Sequence, residues 1–161
     1  MTTPRSVEAD LGWALGAVMR SYVRAVDEVL ADVPGGPRGY QVLASAGKEG
    51  PRTQLALAQQ LGLDRTVMTY LLDDLQKAGL VERRPDPADR RARRVALTET
   101  GQTLLCTLQD QLYQAEERLL DRLDPVERST LRDLLHRLAT GSPATGPELC
   151  SLAKEIKQGG C

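Results

Sequence analysis

Helical apolar periodicity at both ends of the chain, two short helices joined at a glycine, and two alternating segments around an arginine-rich turn predict a mainly α fold with a small β hairpin. The 161 residues, 41% of them apolar, suffice for one packed domain rather than a disordered chain. No run approaches the roughly 18 uninterrupted apolar residues of a membrane span. Met1 to Asp10 lacks the apolar stretch of a secretory signal, so a cytoplasmic protein without membrane contact is expected. Cys106, Cys150 and Cys161 form no CxxC pair and His136 is the only histidine. A zinc site, a disulfide framework and a histidine-based triad therefore lack their ligands, and neither an enzyme nor a bound cofactor or metal is expected.

From Val7 to Val33, Leu11, Leu15, Val18, Tyr22, Val26 and Val29 recur at helical spacing until Pro34-Gly35-Gly36-Pro37 breaks the helix. A shorter helix fits Gly39 to Ala46, with Tyr40 and Leu43 inward, closed by Gly47 and Gly50-Pro51. Thr53 can cap the next, which carries Leu57, Ala58 and Leu61 on one face. Leu61-Gly62-Leu63 makes a tight turn in which Gly62 is free to be left-handed. Asp64 then caps a helix to Ala78, with Val67, Met68, Leu71 and Leu75 inward and Gly79 at its end. Two helices joined this way form a helix-turn-helix.

Leu80 to Arg84 and Arg94 to Thr98 alternate as strands, and between them lie two prolines, two aspartates and several arginines. A helix-turn-helix followed by a basic hairpin predicts a winged helix, whose second helix enters a major groove while the hairpin reaches the adjacent backbone or minor groove. Thr98 caps a long helix to about Leu123, with Leu104, Leu108, Leu112, Ala115 and Leu119 on one stripe and Cys106 packed beside it as an inert thiol. Asp124-Pro125-Val126-Glu127 supplies a cap, a proline at the first helical position and a carboxylate at the third. The helix that follows carries Leu131, Leu134, Leu135 and Leu138, with His136 as a polar interface residue. Thr140 to Pro147 reads as linker, and Glu148 to Gln158 as one more short helix. A winged lobe at about 39–98 is thus flanked by dimerisation helices at about 7–33 and 99–140, with a linker and short tail at 141–161. The leucine stripes of the terminal helices exceed what one small lobe can bury, which predicts a homodimer.

The net charge of −1 conceals a lopsided distribution: residues 1–51 carry −1, residues 52–98 carry +3 and residues 99–161 carry −3. The positive charge gathers in the run from Glu82 to Arg94, suited to binding phosphates without general adhesion to polyanions. In the second short helix Arg65, Thr66, Thr69 and Tyr70 lie off the inner stripe. Arg65 can donate to guanine or phosphate, Thr66 and Thr69 can reach a base edge or a thymine methyl, and Tyr70 can donate to a phosphate. Asp73 and Asp74 repel phosphate and are expected toward the helix's far end. In the hairpin, Arg90, Arg93 and Arg94 suit phosphate contacts, and a few of the arginines must instead pair with Asp86 or Asp89.

The residues from Val7 to about Leu138 resemble the MarR family of bacterial transcription regulators. The likeness is sharpest in Leu80-Val81-Glu82-Arg83 and in Asp89-x-Arg91-x-x-x-Val95-x-Leu97-Thr98-Glu99-x-Gly101, which is similar to that family's wing signature. The resemblance implies a dimeric winged helix whose terminal helices interlock, and a double-stranded palindromic operator whose binding is often relieved by a small molecule. It places Arg91 at a minor groove, with Asp89 orienting its guanidinium or the turn. It also implies a pocket for a small aromatic effector, for which Trp13, Arg20 and Tyr40 are the candidates. Peroxide-sensing members carry a reactive cysteine near the N-terminus; this chain has none there, and its tail after Thr140 falls outside the family pattern. The expected function is a sequence-specific DNA-binding repressor. The alternative is a winged-helix dimerisation or adaptor module without DNA binding, against which the retained basic wing speaks.

Overall fold

Every described helix but the second begins where a short polar side chain satisfies an early amide group. The computed structural model describes residues 10–48 and 52–141. Asp10 caps α1, Leu11–Val29, by accepting from the amide of Gly12. α2 follows at Gly36–Lys48, then β1 at Arg52–Thr53, α3 at Gln54–Leu61 and α4 at Arg65–Lys77. β2, Val81–Pro85, and β3, Arg93–Leu97, form the hairpin, and α5, Glu99–Leu119, and α6, Pro125–Gly141, complete the described order. The sheet has the order β1-β3-β2 and is antiparallel, with Val81 opposite Leu97, Pro85 opposite Arg93, and Arg52 opposite Val95. A mainly α fold with a small β hairpin is therefore what forms.

Several boundaries and stripes differ from expectation. The first helix ends at Val29, not Val33, because the chain turns there: the Leu30 amide closes on Val26 and that of Val33 on Leu30. Leu30 and Val33 continued the apolar pattern because both plug the core from within that turn. The second helix starts three residues early, at Gly36, since Pro37 has a preset φ and needs no amide partner in a first turn. It also runs on to Lys48, so Gly47 lies within it rather than closing it. β1 was not expected at all; two residues have no period to detect. In α4 the inward residues are Met68, Leu71, Leu72 and Leu75, while Val67 faces outward. α5 ends at Leu119 rather than Leu123, and its buried positions are Gly101, Leu105, Leu108, Leu112 and Ala115, a heptad-like track displaced from Leu104. Cys106 is half-buried and disulfide-bonded rather than a free thiol. Thr140 and Gly141 still belong to α6, the Thr140 hydroxyl donating to the His136 carbonyl. The rest of the expected linker and the short helix at 148–158 lie outside the described residues.

The core joins α1 to α5 and the sheet. Leu30, Tyr40, Leu43, Leu57, Met68, Leu72, Leu75, Val81, Val95 and Leu112 are fully enclosed. Gly62 and Gly101 are needed by geometry where the helix-turn-helix and the wing are joined. Gly62 ends α3 at φ +63°, the left-handed region, which lets α4 turn away within three residues. Gly101 lies so close to β2 that an added Cβ would stand 1.9 Å from the Leu80 carbonyl oxygen. Beside it the Thr98 hydroxyl donates to the Gly79 carbonyl at 2.6 Å and accepts from the Gly101 amide at 3.0 Å. The Thr98-Glu99-x-Gly101 string thus fastens the long helix to the start of the wing.

α6 is attached differently. Asp124 accepts from the amides of Val126 and Glu127, and Glu127 reaches back to the Asp124 amide at 3.0 Å, a reciprocal capping box. Glu117 on α5 then accepts from Arg132 at 2.6 Å and Arg128 at 2.7 Å. The Arg132 bond foremost, with that of Arg128, holds the Glu117 carboxyl below the usual carboxylate range. Among the described residues α6 contributes none to the buried core, and Val126, Leu134, Leu135 and Leu138 are exposed along it. Leu11, Trp13, Leu15, Val18 and Met19 are exposed on the N-terminal half of α1.

Candidate nucleic-acid interface

α4 is positioned from three sides. At its start the Asp64 carboxylate accepts from the Thr66 amide at 2.7 Å, and hydrogen bonds from the Thr66 backbone and hydroxyl hold that carboxyl below its ordinary range. At its far end Arg83 of β2 pairs with Asp73 and donates through Nε to the Gln76 side chain at 2.8 Å. Asp73 is therefore neutralised by the wing strand, while Asp74 faces solvent. In the middle, Gln54 of α3 donates to the Thr69 hydroxyl at 2.9 Å. What remains outward is Arg65, Thr66, Val67 and Tyr70, all exposed, with Thr69 half-buried beside them.

The hairpin tip is built from aspartate-bracketed turns. Asp86 is buried, not part of a solvated loop as its surroundings suggested: only 5% of it is accessible. One carboxylate oxygen accepts from the Ala88 amide at 2.7 Å and the other from Arg94 Nε at 2.7 Å. The Arg94 bond, ahead of the Ala88 amide, holds the Asp86 carboxyl below its ordinary range. Asp89 accepts from the Arg91 amide at 2.9 Å, and its own carbonyl accepts from the Ala92 amide. Of the two roles open to Asp89, the bond it makes orients the turn.

The arginines therefore divide into two sets. Arg83, Arg84 and Arg94 are held by Asp73, Glu82 and Asp86. Arg65, Arg90, Arg91 and Arg93 are exposed, and among the described residues their guanidinium groups make no hydrogen bond or ion pair. Arg94 stands apart from the other wing candidates because its Nε is committed to bracing the wing's base. Four unpaired cations on the start of one helix and on one hairpin tip can neutralise successive phosphates or enter a groove, which an internally paired set cannot.

The effector candidates do not gather on one surface. Tyr40 is fully enclosed in the lobe core, whereas Trp13 and Arg20 are exposed on α1, seven positions apart and hence on one face. Tyr22 also belongs to α1; burial first, then the Glu116 carboxylate of α5, pushes its phenol up to about 12, so it stays neutral. Its hydroxyl is enclosed without a hydrogen-bond partner among the described residues. Sequence reading placed Tyr22 only on an apolar stripe. It also missed Gln54, whose partner lies fifteen residues away, and it foresaw an arginine partner for Asp86, eight residues away, but not the burial of that carboxylate. Their one local signal was position, Gln54 directly after a capping threonine and Asp86 between two prolines. Among the described residues no helix is long and apolar enough to cross a membrane.

Comparison with known proteins agrees with this geometry. The model of the MarR family matches residues 37–92, which span α2 through the wing tip. The wild-type apo MarR structure from E. coli is 26% identical, with a TM-score of 0.66 over 80% of this chain and 96% of that one. The transcriptional repressor CouR, solved bound to a 23-mer DNA duplex, is also 26% identical, with a TM-score of 0.67 over 86% of this chain and 99% of CouR. YusO from Bacillus subtilis, at 20% identity and a TM-score of 0.76 over 88% of this chain and 100% of its own, shares the fold. Residues 37–92 thus match the model of the MarR family, and the architecture from α1 to α6 is similar to that of solved winged helix-turn-helix regulators of this kind.

Proposed function

We propose that two copies of the chain bind one palindromic DNA site as a repressor, and that a small molecule releases them. Arg65, Thr66, Thr69 and Tyr70 of α4 face the major groove, and the wing places Arg91 at the flanking minor groove. Arg90 and Arg93 contact phosphates, while Asp89 shapes the tip and Arg94 braces it. The observation that carries this reading is that Arg65, Arg90, Arg91 and Arg93, at the start of α4 and on the wing, are exposed and unpaired among the described residues, while the neighbouring Arg83, Arg84 and Arg94 are neutralised internally. The DNA-bound state of CouR supports it.

Dimerisation rests on the exposed apolar faces of α1 and α6, which a monomer leaves in water. The effector is read as a small aromatic molecule held near Trp13 and Arg20, the indole supplying a stacking face and the guanidinium a partner for an acidic group. Tyr40, being enclosed, serves the core in this reading.

Selection from a randomised duplex pool with the purified protein is the test. The expected product is a palindrome whose half-sites are centred about 10–10.5 base pairs, or a multiple, apart. A pool that stays unenriched through successive rounds would overturn the reading.

A further inference from the structure

The hydroxyl of Thr69 is already engaged within the protein. It donates its one proton to the Arg65 carbonyl, one helical turn back, at 2.9 Å. It accepts from Gln54 Nε2 at 2.9 Å, a bond joining α3 to the outward side of α4. Because the hydroxyl has a single proton and the Arg65 carbonyl takes it, the Gln54 side chain must present its amide nitrogen here, not its oxygen. Thr69 therefore has no proton for the acceptors that bases expose in a major groove: guanine N7 and O6, adenine N7 or thymine O4. The part of the side chain that takes no hydrogen bond is its methyl group.

We propose that Thr69 is a specificity-determining residue that reads a thymine through methyl-to-methyl contact, and that Gln54 is its positioning residue. The inference rests on the DNA-binding reading above and adds to it both the base and the chemistry of its recognition. Gln54 holds Oγ1 toward α3, so the threonine cannot rotate its hydroxyl into the groove and its methyl into the protein. Thr66 also engages its hydroxyl within the protein, with Asp64 at the helix start.

The experiment uses the full chain and the duplex it selects from a random pool, with each thymine replaced in turn by deoxyuridine, which removes only the 5-methyl group. For the parent protein, one thymine in each half-site should show a loss of about fourfold on replacement, the effect of one methyl group leaving an apolar contact. Thr69→Ser keeps both hydrogen bonds and drops the methyl. It should bind the thymine and deoxyuridine duplexes equally at that position, while other positions respond as in the parent. Gln54→Ala should lose most of the discrimination at the same position, although Gln54 itself touches no base. Far-UV circular dichroism matching the parent shows both variants folded. A parent indifferent to every replacement, or a Thr69→Ser variant as sensitive as the parent, overturns the role of Thr69. Undiminished sensitivity in Gln54→Ala overturns the role of Gln54. If no duplex is enriched at all, the DNA-binding reading has failed, which is a separate result.

Discussion

Replacing Leu134 and Leu138 together by aspartate should convert the protein from a dimer into a monomer of 17.6 kDa and remove its DNA binding. Both leucines are exposed on α6, Leu138 to 71%, and in a twofold dimer each substitution counts twice. Burying a leucine contributes about 1.5–3 kcal/mol, so four of them account for roughly 6–12 kcal/mol at most. A micromolar dimer has only about 8.2 kcal/mol in total, so the loss is decisive even before the cost of placing four carboxylates in an apolar seam. The lobe itself should remain folded, since its core is drawn from α1 to α5 and the sheet. Light scattering together with far-UV circular dichroism at micromolar concentration separates the outcomes. A double variant that stays dimeric would mean that α6 is not the interface.

Arg91→Ala should weaken binding by about 5- to 150-fold, corresponding to roughly 1–3 kcal/mol, with the greater loss on duplexes whose flanks are rich in A·T pairs. The reason is geometric. Asp89 fixes the Arg91 backbone amide and Asp86 fixes the base of the tip through Arg94, so the guanidinium is presented from a rigid turn yet remains unpaired. A narrow A·T minor groove concentrates negative potential where such a side chain can enter it. Asp86→Ala leaves Arg91 in place but releases the turn, so DNA must then order the wing. The loss should be on the order of tenfold and less dependent on the flanks. Fluorescence anisotropy at one salt concentration, on A·T- and G·C-flanked versions of the selected duplex, distinguishes the two. Arg91→Ala binding like the parent on both would remove the wing from the interface.

What was legible in the sequence was local chemistry. Asp10, Thr53, Asp64 and Thr98 each accept a hydrogen bond from an amide within three residues. Of these, Thr53, Asp64 and Thr98 were read as caps, as was Asp124 with its Glu127 partner. Gly62 was readable because a left-handed residue is needed between two helices that close together. What was not legible depended on partners distant in the chain. Val67 and Leu72 are equally apolar, and only the approach of α3 and the sheet decides which turns inward. Asp86 looked like tip charge, but burial with Arg94 makes it the wing's anchor. Arg83, part of the basic run by composition, spends its charge on Asp73. Tyr40 was legible as an inward residue of its helix, and its enclosure in the core sets it apart from Trp13 and Arg20, which are exposed on α1.

The central claim is that unpaired arginines on α4 and the wing of two copies hold DNA by its phosphates while the helix reads bases. The dependence of affinity on salt for the selected duplex measures this directly. With Arg65, Arg90 and Arg93 each neutralising one phosphate per copy, log affinity should fall linearly with log salt at a slope of about −5, following from about −0.9 per contact. Between 50 and 200 mM salt the loss should be roughly a thousandfold. A slope near zero would contradict the account.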